Sequence, residues 1–172
     1  MSLRPTMSHV RVLTFGVTLA ALLFASAAQA QQPAEAAAGP FANLSGSWTG
    51  SGIIKMSNGA NERIRCKVTY AVENGGTTLQ QRLKCASDSY KFELSSNVVQ
   101  TGETISGTWS EATRNLGGSL SGHATGNLIK ARAESPTFTA LLAVATHGNR
   151  QSVSIQSPGG EVSEVSIKLS RR

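Results

Sequence analysis

The most informative part of the sequence runs from Ile64 to Cys85 and reads IRCKVTYAVENGGTTLQQRLKC. Apolar and polar side chains alternate on both sides of a central Gly75-Gly76 turn, which predicts an antiparallel hairpin. Pairing across that turn, so that paired residue numbers sum to 151, places Cys66 opposite Cys85. The same register gathers nearly all the apolar side chains of the hairpin on one face, as a sheet with one buried side requires.

A disulfide follows from this register. A four-residue loop, 74–77, preserves the pairing and makes the cysteines a non-hydrogen-bonded pair, whose closer approach suits a bridge. We interpret the predicted Cys66–Cys85 disulfide as structural, with a redox role as the alternative. The chain has no other cysteine, so thiolate zinc sites and Cys-x-x-Cys redox chemistry are excluded.

The opposite face of the same hairpin is basic, in a chain with a formal net charge of +6. Its outward positions carry the cations Arg63, Arg65, Lys67, Arg82 and Lys84. One interpretation is an anion-binding patch for lipid head groups, an acidic polysaccharide or an acidic protein. The other is a solvated outer face that Glu62 and Glu93 partly balance. Nucleic-acid binding is not expected, because no aromatic side chains are interleaved with these cations for bases to stack on.

The same pattern of short alternating runs continues from Asn43 onward. Glycine and asparagine, which tolerate the positive φ of tight hairpins, mark turns at intervals of about 10 to 15 residues. They predict ten strands, starting near residues 44, 61, 77, 89, 103, 116, 127, 136, 150 and 161. The expected fold class is all-β: a single antiparallel up-and-down β-barrel of about 8–10 strands over residues 43–172, with one disulfide.

Composition agrees with that fold class. Hydrophobic residues make up 40% of the 172-residue chain, which excludes a disordered polymer. Its 17 glycines and only 15% charged residues argue against long helices or a coiled coil.

The first thirty residues have the three parts of a secretory signal peptide. Arg4 and Arg11 make its start basic, residues 12–25 are mainly apolar, and Ala28-Gln29-Ala30 supplies the small residues that a signal peptidase recognises. We therefore expect residues 1–30 to be cleaved off after Ala30. Because the pattern is typical of bacterial export, we expect a periplasmic or secreted protein. The apolar core is shorter than the ~20 residues that span a bilayer, so no stable membrane anchor is expected.

Two hexapeptides echo one another: residues 44–49 read LSGSWT and residues 105–110 read ISGTWS. We interpret them as one packing device used twice, in which glycine lets the strand bend and tryptophan plugs the barrel end. A decayed tandem duplication is the alternative. Gly46-x-Trp48 resembles the Gly-x-Trp motif of lipocalins, and Gly107-x-Trp109 is similar to the glycine-threonine-tryptophan strand of avidin. The resemblance is to calycin-type (lipocalin/avidin-type) barrels, and it implies their fold.

The chain also resembles the small periplasmic inhibitors of bacterial metalloproteases. These are disulfide-bearing β-barrels with an early tryptophan, and their mobile N-terminal segment enters the protease cleft. Residues 31–42 contain two prolines and no hydrophobic periodicity, so we predict a flexible N-terminal segment there. The resemblance implies that this segment would act on the protease.

Small side chains occupy inward positions of the predicted strands five to seven, namely Gly107, Gly118, Gly122, Ala124, Ala131 and Ala133. Either they leave an apolar cavity on one side of the barrel, or large side chains opposite them fill the space. The candidate ligand-binding residues are the aromatic side chains expected inside the barrel: Trp48, Tyr70, Tyr90, Phe92, Trp109 and Phe138.

Catalytic motifs are missing from the sequence. It contains no nucleophile elbow, phosphate loop or metal-ligand helix motif, and after residue 30 its histidines are His123 and His147 alone. We therefore expect no enzyme, no metal and no cofactor. Three functions remain open: an exported barrel that binds a small apolar or amphipathic ligand inside, a protein-binding module such as a protease inhibitor acting through residues 31–42, and an envelope protein whose basic face binds acidic glycan or lipid.

Overall fold

The alternating runs form ten β-strands in the computed structural model, which describes residues 38–172. The strands are β1 Gly46–Met56, β2 Asn61–Glu73, β3 Thr78–Ala86, β4 Lys91–Thr101, β5 Thr104–Glu111, β6 Leu116–Thr125, β7 Leu128–Glu134, β8 Thr139–His147, β9 Arg150–Gln156 and β10 Val162–Arg171. Each strand pairs antiparallel with the next along the chain, and β10 pairs with β1, so the sheet closes into an up-and-down barrel. The predicted fold class is confirmed, and no strand starts more than three residues from its predicted position.

The β2–β3 hairpin has the predicted register. Cys66 lies opposite Cys85 with 4.1 Å between their Cα atoms, and a disulfide joins them. In the loop 74–77 the backbone is left-handed at Gly75 and Gly76, with φ of 64° and 96°. Residues with side chains rarely adopt this conformation, so the two glycines allow the tight loop that sets the register.

The predicted signal peptide and residues 31–37 lie outside the described residues. The end of the predicted flexible segment is held against the barrel, since the N–H groups of Gly39 and Phe41 donate to the carbonyl oxygens of Gly75 and Gly76 at 2.9 and 3.0 Å. The side chain of Phe41 is completely buried. The protease-inhibitor hypothesis depends on the rest of this segment and stays a prediction. Between residues 38 and 172, no helix is long and apolar enough to cross a bilayer.

The two ends of the barrel differ. We call the end with the loops that follow even-numbered strands the closed end, and the opposite one the open end. A 3₁₀ turn, Ala42–Leu44, lies at the closed end. The core there includes the buried side chains of Phe41, Leu44, Trp48, Tyr70, Leu79, Val98 and Ile105. This end of the barrel interior is therefore filled by the protein itself.

Candidate functional site: a cavity at the open end

The open end of the barrel contains a cavity of about 440 Å³. It opens between the loops 112–115, 135–138 and 157–161. Its apolar lining includes Phe92, Leu94, Trp109, Leu120, Ala133, Phe138, Ala140, Leu142 and Ile155. The polar side chains in its lining are Gln81, Ser96, Glu111, Arg114, Thr137, Ser157 and Glu161. A mainly apolar cavity of this size with a few polar groups is typical of small-molecule sites.

Small residues create the space. Ala133 on β7 and Ala140 on β8 lie in the cavity wall, where larger side chains would fill it. Gly118 on β6 has a different effect, because a Cβ atom there would lie 1.7 Å from the carbonyl oxygen of Glu134. A glycine is needed at that position for the backbones to approach each other so closely. Of the six predicted small inward residues, Ala133 alone lines the cavity, whereas Ala124 and Ala131 pack in the filled core.

Two of the predicted aromatic residues meet in the wall. The ring centroids of Trp109 and Phe138 are 5.6 Å apart, with the planes tilted by 51°. The indole Nε1 of Trp109 donates to the carbonyl oxygen of Ser119 at 3.1 Å. This hydrogen bond satisfies the polar group of the indole and leaves the ring for apolar contacts.

Phe92 and Tyr90, two further predicted residues, lie near the opening. Their rings are stacked, with centroids 6.2 Å apart, and the guanidinium carbon of Arg114 is 4.8 Å from the Phe92 centroid. The Tyr90 hydroxyl donates to the carboxylate of Glu161 at 3.3 Å. Desolvation and the negative charge of Glu161 raise the pKa of Tyr90. The rim therefore offers aromatic rings and charges of both signs to an incoming molecule.

Glu111 is the buried charge at this rim. Its carboxylate accepts hydrogen bonds from the N–H groups of Glu93, Thr113 and Arg114 at 3.0, 3.1 and 2.8 Å, and from the Thr113 hydroxyl. Burial alone would raise the pKa of Glu111, but these hydrogen bonds outweigh it and the pKa is lowered. Both oxygens are occupied, so Glu111 shapes the rim. In the described part of the chain, no group of three or more His, Cys, Asp or Glu is placed to hold a metal ion.

Trp48 and Tyr70, also predicted to bind a ligand, lie at the closed end and not in the cavity wall. Trp48 is completely buried, and its Nε1 donates to the carbonyl oxygen of Leu44 at 2.8 Å. The Tyr70 hydroxyl donates to Oε1 of Gln151 at 2.8 Å, and Nε2 of Gln151 donates to the Thr146 hydroxyl at 3.0 Å. Burial raises the pKa of Tyr70, and the hydrogen bond to Gln151 offsets this only in part. These two aromatic residues fill the closed end of the barrel and do not line the cavity.

Sequence reasoning missed the polar residues inside the cavity. Gln81 on β3 and Ser96 on β4 lie opposite each other and line the cavity. Among residues 38–172, the outward neighbour Gln80 bonds to Glu73, whereas no side-chain hydrogen bond within the protein involves Gln81 or Ser96. A signal was present, because Gln81 interrupts the inward series Leu79, Leu83 and Cys85 with a polar residue.

The five cations of the predicted anion patch are exposed on the outer surface of β2 and β3. The Nζ atoms of Lys84 and Lys91 lie 3.4 and 2.9 Å from the carboxylate of Glu93, and these contacts lower the pKa of Glu93. Glu62, the other expected counter-charge, instead accepts a hydrogen bond from the N–H of Ser89 at 2.8 Å. Of the two expected carboxylates, Glu93 alone neutralises a member of the patch.

No protein-family model and no curated protein matches this sequence. The crystal structure of Rv2717c from M. tuberculosis is similar to the chain, with a TM-score of 0.61 and 16% identity over 76% of this chain and 93% of that one. The S-type phycobiliprotein lyase CPES from Guillardia theta is similar with a TM-score of 0.56 and 8% identity, over 77% of this chain and 90% of that one. At these identities the likeness shows the fold alone. It agrees with the ten-stranded antiparallel β-barrel described above, and the resemblance to calycin-type barrels stays a prediction.

The second comparison corrects the expectation that the protein is not an enzyme. CPES is named as a lyase, and its fold is similar to that of this chain. A barrel of this kind is therefore compatible with catalysis, and the prediction from missing sequence motifs was wrong to exclude it. Motifs such as the nucleophile elbow belong to other folds, so their absence does not separate a binding barrel from a catalytic one.

Proposed function

We propose that the protein binds a small apolar or amphipathic ligand in the cavity at the open end of the barrel. The observation that carries the proposal is an apolar wall, with Trp109 and Phe138 in contact, that opens to solvent between three loops. Apolar surface that a ligand covers there contributes about 25 cal/mol per Å². The proposal concerns binding, and it covers both a carrier and an enzyme that holds its substrate in this place.

The test is a titration with 1,6-diphenylhexatriene, a hydrocarbon fluorophore that emits strongly only in apolar surroundings. We expect saturable binding, and Ala140→Phe should weaken it by about tenfold or more because the new ring occupies the cavity. Ala143→Phe is the matched control, since Ala143 lies on the same strand and lines a depression on the outside of the barrel. Absence of saturable binding, or equal weakening by both substitutions, would contradict the proposal.

We infer that this binding takes place in the bacterial periplasm or the medium, after cleavage behind Ala30. The signal pattern of residues 1–30 supports this location. The Cys66–Cys85 disulfide fits an oxidising compartment. Intact-mass analysis of protein from a periplasmic extract should give a chain that starts at Gln31 and lacks two hydrogens relative to the dithiol. A full-length chain found in the cytoplasm would contradict the inference.

A second candidate function is supported by the outer surface. β1 presents the small side chain of Thr49 there, between basic side chains of β2 and the C-terminal Arg172. We define the basic trough as the depression lined by Thr49, Arg65, Lys67, Lys84, Lys91 and Arg172. Of the residues that line it, the one with an acidic side chain is Glu93, which already contacts Lys84 and Lys91. We infer that the trough binds an acidic glycan or an anionic lipid head group.

This second function is tested with polygalacturonate and with phosphatidylglycerol vesicles as probes. Replacing Arg65 and Lys67 together by Gln should weaken binding by about tenfold at low salt and flatten its salt dependence. The control replaces Lys130 and Arg132 by Gln, which removes the same charge from the outward positions of β7. Equal weakening by both pairs would show attraction to net charge alone and would contradict a site in the basic trough.

A further inference from the structure

The cavity contains a polar pair that the fold itself does not use. Gln81 and Ser96 are direct neighbours across β3 and β4, and both line the cavity. Ser96 is only 5% exposed. In the part of the chain that the structure describes, the one fully enclosed side-chain polar atom without a partner is Nε of Arg171. The unpartnered polar atoms of Gln81 and Ser96 are therefore accessible from the cavity.

Gln151 shows how the same barrel treats a glutamine that serves packing. This residue is 2% exposed, and its amide both accepts from Tyr70 and donates to Thr146. Buried polar side chains are nearly always paired in this way, because an unpaired one destabilises the fold. Gln81 is half-buried and has no such partners among the described residues, so its amide can bond to water or to a molecule inside the cavity.

The chemistry of the pair favours an uncharged group. An amide and a hydroxyl each donate and accept hydrogen bonds, which matches a hydroxyl, carbonyl or amide of a ligand. The charged residues of the lining, Glu111, Arg114 and Glu161, lie at the loops around the opening. A carboxylate carried in to Gln81 and Ser96 would lose its hydration without meeting a cation, which is unfavourable.

We propose that the cavity takes an uncharged amphipathic molecule whose hydroxyl, carbonyl or amide group enters first and hydrogen-bonds to Gln81 and Ser96. Its hydrocarbon body then contacts the aromatic rings of Trp109 and Phe138. This inference rests on the proposed function of the cavity and specifies the class of ligand. It separates long-chain alcohols, ketones and amides, which the site accepts, from the corresponding carboxylates, which it disfavours.

The experiment compares 1-decanol with decanoate at pH 7.5 as competitors of bound 1,6-diphenylhexatriene. We expect decanol to displace the fluorophore at a concentration at least about tenfold lower. Ser96→Ala and Gln81→Leu should each lower the affinity for decanol by about fivefold, the usual effect of losing one neutral hydrogen bond. The affinity for the fluorophore should stay within about twofold, because this hydrocarbon forms no hydrogen bonds.

Outward neighbours on the same strands supply the controls. Ser95→Ala and Gln80→Leu change the same chemical groups on the exposed face and should leave decanol binding unchanged. Thermal unfolding adds a second readout, because a structural role for Gln81 or Ser96 would lower the midpoint, whereas we expect it to stay the same or rise.

The outcomes separate the two proposals. If 1,6-diphenylhexatriene does not bind at all, the proposed function fails and the inference with it. If it binds, but decanoate competes as well as decanol or the two inward variants leave decanol unaffected, the inference alone is overturned. The inference would also be overturned if the two inward variants lowered the midpoint of unfolding and reduced the affinities for fluorophore and decanol equally. Gln81 and Ser96 would then be packing residues.

Discussion

The same Ser-Gly-x-Trp sequence occurs at the start of β1 (residues 45–48) and within β5 (residues 106–109), and the barrel uses it differently. In β1, Trp48 is completely buried, meets Tyr70 edge to face at 6.5 Å, and has the guanidinium carbon of Arg171 at 4.6 Å from its ring centroid. In β5, Trp109 is 7% exposed and lines the cavity beside Phe138. The surroundings of the motif therefore decide whether its tryptophan fills the barrel or lines the cavity.

The two ends of the described chain account for the difference. The turn Ala42–Leu44 lies beside the start of β1, and Arg171 of β10 donates to the carbonyl oxygens of Asn43 and Ser45. The cavity lies beneath loops such as 112–115. The N–H groups of Thr113 and Arg114 in that loop donate to the carboxylate of Glu111, which holds the loop at the rim of the cavity. The closed end is thus covered by the turn Ala42–Leu44 and by Arg171, whereas the cavity opens between the loops of the other end.

Removal of Trp48 should have the largest effect. Trp48→Ala is expected to lower the free energy of unfolding by about 3–5 kcal/mol, as is usual for a large aromatic side chain in a packed core. Trp109→Ala should cost less, because that ring already borders empty space. Guanidinium chloride unfolding followed by circular dichroism measures both values. Equal losses would contradict the distinction between the filled and the open end.

Removal of the disulfide should have the next largest effect on the free energy of unfolding. One of its cysteines, Cys85, lies in the wall of the cavity. Replacing Cys66 and Cys85 together by alanine should lower the free energy of unfolding by about 3 kcal/mol, because a link between residues 19 positions apart no longer restricts the unfolded chain. Reduction of the unchanged protein with dithiothreitol should give a similar loss in the same denaturation assay. If both treatments leave the midpoint unchanged, the open end does not depend on this cross-link.

Glu111→Gln should lower the free energy of unfolding by about 1–3 kcal/mol at pH 7, since it weakens hydrogen bonds to a charged acceptor at the rim. The pKa of Glu111 is lowered in the fold, so its stabilisation is complete above the ordinary value of 4.5 and is lost as the pH falls through the lowered value. The difference in free energy of unfolding between the unchanged protein and Glu111→Gln should therefore become smaller from pH 7 towards pH 3. Glu134→Gln, on an exposed carboxylate, is the control. If this difference in free energy of unfolding grew on acidification, it would contradict this role of Glu111.

Local features of the fold were predictable because a hairpin register depends on residues close in sequence. The turn at Gly75-Gly76 fixed which residues face each other, and the observed pairing of Cys66 with Cys85 agrees. Turn residues likewise placed the ten strands. Of the aromatic residues expected inside the barrel, Phe92, Trp109 and Phe138 line the cavity, whereas Tyr90 stacks on Phe92 and does not.

The remaining features depend on contacts that form only when the barrel closes. Tyr70 and Gln151 are 81 positions apart, and no local pattern connects them. Alternation shows which side chains point into the barrel, but not which end of the barrel they fill. Trp48 and Tyr70 were therefore predicted to bind a ligand, although they lie at the closed end. Phe41, within the segment predicted to be flexible, lacks any periodicity around it and is nevertheless buried.

The smallest expected difference compares two tyrosines, one near each end. Tyr70→Phe removes the donor to Oε1 of Gln151 and leaves that oxygen buried, so the free energy of unfolding should fall by about 1–2 kcal/mol. Tyr90→Phe removes a 3.3 Å contact with Glu161 at the exposed rim and should change it by less than about 0.5 kcal/mol. Chemical denaturation of both variants measures the contrast, and equal effects would show that the rim is as tightly organised as the closed end.

The ring of Tyr90 stays stacked on Phe92 in Tyr90→Phe, so the affinity for 1,6-diphenylhexatriene should also be unchanged. A change in that affinity without a change in stability would instead place the Tyr90 hydroxyl on the path by which ligands reach the cavity.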